Sequence, residues 1–178
     1  MRPLPESLAD GFVLLRPWRA GDLPQRYEGF ADELCQRHSW PRVEPPTRAE
    51  VDEAFARPGD DLNLAIADAA RPDRIWGAMS VYDLSDAQHR AAIGYWVAPW
   101  ARGRGVATRS LRLLAGWTFA AFGLERLELT CGPDNPASAR VAERCGFTRE
   151  GVLRSHMVFK DSRRDTVVYS LLPGELTA

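Results

Sequence analysis

The sequence has no long apolar run, no excess of charge and few cysteines or histidines, and each absence removes a class of protein. Its most apolar stretch, residues 111–124, is interrupted by Gly116 and Gly123 and is too short to span a bilayer. No apolar segment follows the opening Met1-Arg2-Pro3-Leu4-Pro5-Glu6, so no secretory leader and no membrane partner are expected, and the expected location is the cytoplasm. A formal net charge of -1 argues against nonspecific nucleic-acid binding, which needs a large basic excess. Arg102, Arg104, Arg109 and Arg112 form a local basic run, but no aromatic stacking motif accompanies it. Cys35, Cys131 and Cys145 lack Cys-x-x-Cys or Cys/His spacing and read as small buried side chains. His38, His89 and His156 are scattered too, so no metal is implied.

What is present fits one globular domain over residues 1–178, with a core from about residue 8 to 174. Residues 12–16 form an apolar run closed by Pro17, a first strand. A helix is expected over 23–34 with Asp22 as its N-cap, and Thr47 with Glu50 marks a capping box before a helix over 48–56. Residues 62–66, 75–82 and 92–97 are strands of an antiparallel meander. After Pro99 the apolar spacing becomes helical as far as Phe122, and Gly123 stands where a C-terminal glycine belongs. A strand over 126–131, a helix over 136–144 capped by Asn135, and strands over 148–154 and 166–172 complete a mixed α/β sheet.

The chemistry concentrates where the strand Ile93-Gly94-Tyr95-Trp96-Val97 runs through Ala98-Pro99-Trp100-Ala101 into Arg102-Gly103-Arg104-Gly105-Val106-Ala107-Thr108. The first amides of a helix have no internal partner and lie at the positive end of its dipole. Glycines let that backbone approach a pyrophosphate, so an anion site there follows from geometry. The spacing is not the Rossmann fingerprint, and the Walker lysine is absent.

At these residues the sequence resembles the GNAT N-acetyltransferase superfamily, and within it the ribosomal-protein-alanine (RimJ/RimL-type) branch. Arg102-x-x-Gly105-x-Ala107 is similar to the superfamily's acyl-CoA signature. Leu14-Leu15-Arg16-Pro17 with Asp22, Asn135-x-x-Ser138, Cys145-Gly146-Phe147 with Glu150-Gly151, and residues 165–172 resemble the branch's other landmarks. The resemblance covers nearly the whole chain. It implies the GNAT fold, a mixed and mostly antiparallel central sheet flanked by helices. It also implies acetyl transfer from acetyl-CoA to a primary amine, on a protein or peptide N-terminus or a small molecule. Another donor such as succinyl-CoA, or a non-catalytic CoA-binding regulatory module, stands as the alternative.

By position, the resemblance implies that the Val97 backbone binds the pantetheine arm and donates to the oxyanion. Arg102, Gly103, Arg104, Gly105, Val106, Ala107 and Thr108 hold the pyrophosphate, and Asn135 and Ser138 lie beside the thioester. Two departures stand out. Ala142 occupies the place of a common tyrosine acid, leaving Ser138 to protonate the sulfur, and Ala91-Ala92 replaces a common acidic residue. Asp83, Glu128 and His89 are weak base candidates, which suits an α-amine, more often neutral at pH 7 than a lysine. The tract Arg37-His38-Ser39-Trp40 is expected in the loop between the first two helices, where similar proteins contact acceptor, making His38 and Trp40, with Asp83, acceptor-site candidates. Dimerisation is common among similar proteins, so a homodimer is a partner the resemblance allows.

Overall fold

The computed structural model describes residues 4–56 and 61–177. Residues 1–3, 57–60 and 178 of the expected domain lie outside the described residues. The chain runs β1 (Leu8–Ala9), β2 (Val13–Pro17), α1 (Leu23–Phe30), α2 (Glu33–Ser39), α3 (Arg48–Ala56), β3 (Leu62–Asp68), β4 (Arg71–Ser85) and β5 (Arg90–Val97). It continues with α4 (Val106–Phe122), β6 (Arg126–Cys131), α5 (Pro136–Arg144), β7 (Thr148–Phe159) and β8 (Ser162–Leu171). These strands form one eight-stranded sheet in the order β1-β2-β3-β4-β5-β6-β8-β7. Among the described residues only β5 and β6 pair in parallel, joined by a crossover through the long helix α4.

Alternation along the strands divides the core between two faces. Leu15, Leu64, Ile66, Trp76 and Met79 meet Val106, Leu111, Leu114 and Ala115 of α4 on one face. Ala65, Ala67 and Ile75 point to the other, where Trp18 packs beneath the Arg26 guanidinium of α1. Among the described residues, no helix is long and apolar enough to cross a membrane.

The expected helix over 23–34 is two helices. Asp32 breaks it by accepting hydrogen bonds from Leu34 N (3.0 Å) and Cys35 N (3.2 Å), which caps α2. Arg37, His38 and Ser39 therefore stand on a helix rather than in a loop, and Trp40 ends it. Asp22 does not cap α1 with its side chain. Its carboxylate instead accepts from both terminal nitrogens of Arg16, at 2.7 and 2.9 Å, and from Arg19 N at 2.8 Å. The Thr47–Glu50 capping box is formed, with Thr47 N donating to Glu50 Oε2 at 2.8 Å and Glu50 N to Thr47 Oγ1 at 3.3 Å.

Gly146 ends α5 with φ +92°, and a Cβ there would meet the Glu175 carbonyl oxygen at 2.2 Å. Gly146→Ala is expected to destabilise the fold by about 2–3 kcal/mol, through left-handed strain plus a backbone clash. Urea unfolding measures it, and an unchanged midpoint would contradict the packing of the C-terminal segment on α5.

Candidate active site

The site arises where the sheet opens. β5 and β6 pair only at Arg90–Arg126, Ala91–Leu127 and Ala92–Glu128, and no further register continues towards Val97. Ala98 N donates to Trp76 O at 2.8 Å on the β4 side. Alternation therefore turns the Val97 N–H away from β4, towards the gap.

At one end of the gap the loop enters α4. Gly103 and Gly105 have φ of +72° and +77°, left-handed values that favour glycine, and Gly105 is the N-cap. The first closed helical bond runs from Arg109 N to Gly105 O at 3.0 Å, so the amides of Val106, Ala107 and Thr108 have no intrahelical acceptor. They border a cavity of about 330 Å³ that also takes in Cys35, His38, Val97, Gly103, Asn135, Ser138 and Arg144.

The arginines of this tract are used structurally. Arg102 donates through Nε to Val97 O at 3.1 Å and through Nη2 to Asp32 and to Cys35 Sγ, so it clamps β5 to the cap of α2. Its hydrogen bond holds the Asp32 carboxyl below the usual range. Arg104 turns away and lies over the Trp76 and Phe12 rings, at 4.6 and 5.4 Å. Arg109 pairs with Asp10 at 2.7 Å and Arg112 donates to Arg144 O at 2.8 Å. The run that a nucleic-acid reading would use is thus committed to internal contacts.

Across the gap a second cavity of about 240 Å³ lies between β5 and β6, bordered by Tyr82, Gly94, Thr130, Cys131 and Arg164. Both cavities are bordered by His38, Ser39, Tyr95, Asn135 and Ser138, which mark their junction. Asn135 caps α5 by accepting from Ser138 N at 3.1 Å. Ser138 Oγ accepts from Tyr95 Oη at 3.2 Å, so a tyrosine from β5 meets Ser138, while Ala142 is buried in the core. Burial pushes the Tyr95 phenol up to about 12, and it keeps its proton at neutral pH.

His38 Nδ1 stands 4.0 Å from Asp134 Oδ2 and is buried without a hydrogen-bond partner. Burial lowers its pKa below 6.5, opposed by Asp134 and reinforced by Arg37 and Arg164. The imidazole is therefore neutral at pH 7 and able to accept a proton.

Other sequence candidates lie elsewhere. Asp83 is exposed at a β4 irregularity with φ +51° and borders neither cavity. Trp40 packs edge-on against Phe30 at 6.0 Å and donates to Glu44 O at 2.7 Å. Glu128 is paired with Arg90 and Arg126, and His89 is exposed in a turn. Buried Ala91 and Ala92 sit in the parallel pairing itself, where a carboxylate would be desolvated. Sequence reasoning missed Tyr95, Arg144 and Arg164. Tyr95 was visible only as part of a strand, and nothing local marked the two arginines.

Comparison with known proteins finds relatives in both sequence and fold. The profile described as "Acetyltransferase (GNAT) domain" matches residues 13–148. The ribosomal-protein-serine acetyltransferase of Escherichia coli is 30% identical over 100 residues, 56% of each chain. The uncharacterized N-acetyltransferase YoaA of Bacillus subtilis is 34% identical over 96 residues, 54% of each chain. The matches thus span just over half the length of these curated relatives. A GCN5-related N-acetyltransferase from Brucella melitensis, 29% identical, superposes with a TM-score of 0.81 over 98% of this chain and 82% of that one.

Proposed function

Because the chain belongs to the GNAT acetyltransferase family, we propose that it moves an acetyl group from acetyl-CoA to a primary amine by direct attack in a ternary complex. The observation that carries this reading is the pair of cavities meeting at Ser138, one floored by free helix amides and the other open for an acceptor. The amides of residues 103–108 hold the pyrophosphate, aided by the α4 dipole. The Arg144 guanidinium beside them adds countercharge. Arg102 contributes by fixing Val97, and Arg104 through its backbone.

The amine attacks the thioester carbonyl while the Val97 N–H donates to the developing oxyanion. His38 takes the proton from nitrogen, directly or through one water, with Asp134 facing its Nδ1. The C–S bond breaks as the carbonyl re-forms, and Ser138 passes its proton to the leaving thiolate as it takes one from the Tyr95 hydroxyl, which water re-protonates while His38 returns the amine's proton to solvent. No metal takes part in this scheme.

Thiol release from acetyl-CoA in the presence of amines, with the acetylated product identified by mass, tests the reaction. At saturating acceptor, log kcat is expected to fall below a pKa under 6.5 as His38 gains its proton. An α-amine adds its own limb near about 8. His38→Gln should lower kcat about 100-fold and remove the lower limb. A variant with full rate and an unchanged profile would dismiss His38 as the base.

A further inference from the structure

The acceptor cavity contains a cation without a counter-ion. Arg164, on β8, holds its guanidinium carbon 3.7 Å from the Phe159 ring centroid, a cation–π contact. Its Nε is buried with no hydrogen-bond partner, and Nη2 has only the Met157 sulfur at 3.5 Å, a weak acceptor. Among the described residues no carboxylate lies within 4.0 Å of it. The acid whose charge acts on it, Asp134, is engaged with Arg37 at 3.4 Å and faces His38. Partial burial lowers the Arg164 pKa, with the charge of Asp134 opposing the shift. The cavity itself is bordered by Tyr82, Thr130, His38 and Ser138 with Arg164, and no described carboxylate lines it.

A half-buried guanidinium whose N–H donors lack strong acceptors is stabilised by a planar anion that accepts two parallel N–H bonds. A polyamine needs carboxylates for its distal ammonium groups, and this cavity offers it a like charge instead. The geometry points to Arg164 as an acceptor-recognition residue that selects primary amines carrying a carboxylate a few bonds from the reacting nitrogen. The inference rests on the acetyl-transfer reading above. That carboxylate can belong to a free amino acid or to an acidic side chain next to a peptide's N-terminus; both present the same group to Arg164.

The test is a kcat/KM panel. Amino carboxylates from glycine to 6-aminohexanoate are compared with their amides and with diamines of equal length. Ala-Glu-Ala against Ala-Gln-Ala separates the peptide source from the free one. At the best chain length the carboxylate is expected to exceed the amide and the diamine at least 10-fold. Arg164→Gln should bring that ratio to about one by lowering the carboxylate acceptors, and Arg164→Lys should restore part of it. Equal or better turnover of amides and diamines at every length would overturn the inference. So would an equal loss on all acceptors in Arg164→Gln, or no turnover of any carboxylate acceptor. Calorimetry with acetyl-CoA on the same samples separates the two claims. Lost donor binding in the wild type would fault the transferase reading, whereas intact binding without carboxylate preference faults this inference alone.

Discussion

Gly105→Glu is expected to weaken acetyl-CoA binding by at least about 100-fold, or about 2.7 kcal/mol. Gly105 is the N-cap of α4, and a Cβ built on it meets nothing within 4 Å, so the new side chain enters open space. A glutamate there brings negative charge to the amides of Val106, Ala107 and Thr108, the place proposed for the pyrophosphate. Repulsion and occupancy of the donors act in the same direction. The fold should tolerate the change. A non-glycine residue at φ +77° costs about 1–2 kcal/mol, but an acidic group at a helix N-terminus returns part of it. Calorimetric titration with acetyl-CoA, alongside a melting curve, reads both effects. Gly105→Ala carries the backbone strain without the charge and should retain most of the affinity. Equal affinity in wild type and Gly105→Glu would place the cofactor's phosphates elsewhere.

The second large effect is structural. Asp22→Ala should destabilise the protein by about 3–5 kcal/mol, since it leaves the Arg16 guanidinium buried without its partner. The pair is almost fully enclosed, with the two side chains 3% and 5% exposed. It ties β2 to the start of α1, and Arg16 Nη2 also donates to Pro72 O at 2.6 Å, at the beginning of β4. For a chain of this size the loss corresponds to a melting temperature lower by about 6–20 °C. Replacing both partners, as Arg16→Met with Asp22→Leu, should recover much of it because no lone charge remains. A small loss in Asp22→Ala would mean that water reaches Arg16 once the carboxylate is gone.

The sequence showed these two residues together but assigned Asp22 a different task. An aspartate before a helix is an ordinary N-cap signal, and only packing reveals that Arg16 claims it. The divided helix had a legible sign in Asp32, which the apolar spacing across 23–34 concealed. The hairpin of β7 and β8 extends well beyond the expected strands, to Phe159 and from Ser162. Nearly every residue from Thr148 to Val158 is exposed, so no buried alternation marks the strand. Its two-residue turn uses Lys160 and Asp161 at φ +49° and +58° in place of the usual glycine.

By itself the sequence determined the order of the elements from α3 to β8, the meander, the glycine entry to α4 and the cap of α5. Each of these depends on periodicity, capping or backbone conformation within about ten residues. Tertiary structure alone decided how the side chains are shared. It brought His38 from α2, Tyr95 from β5 and Arg164 from β8 to one cavity with Ser138, tied the Arg102 side chain to Val97 and Asp32, and turned Arg104 onto Trp76. The physical reason is the splay of β5 from β6. Where backbone pairing stops, the space is filled by side chains from distant parts of the chain, and no local pattern records which of them arrive.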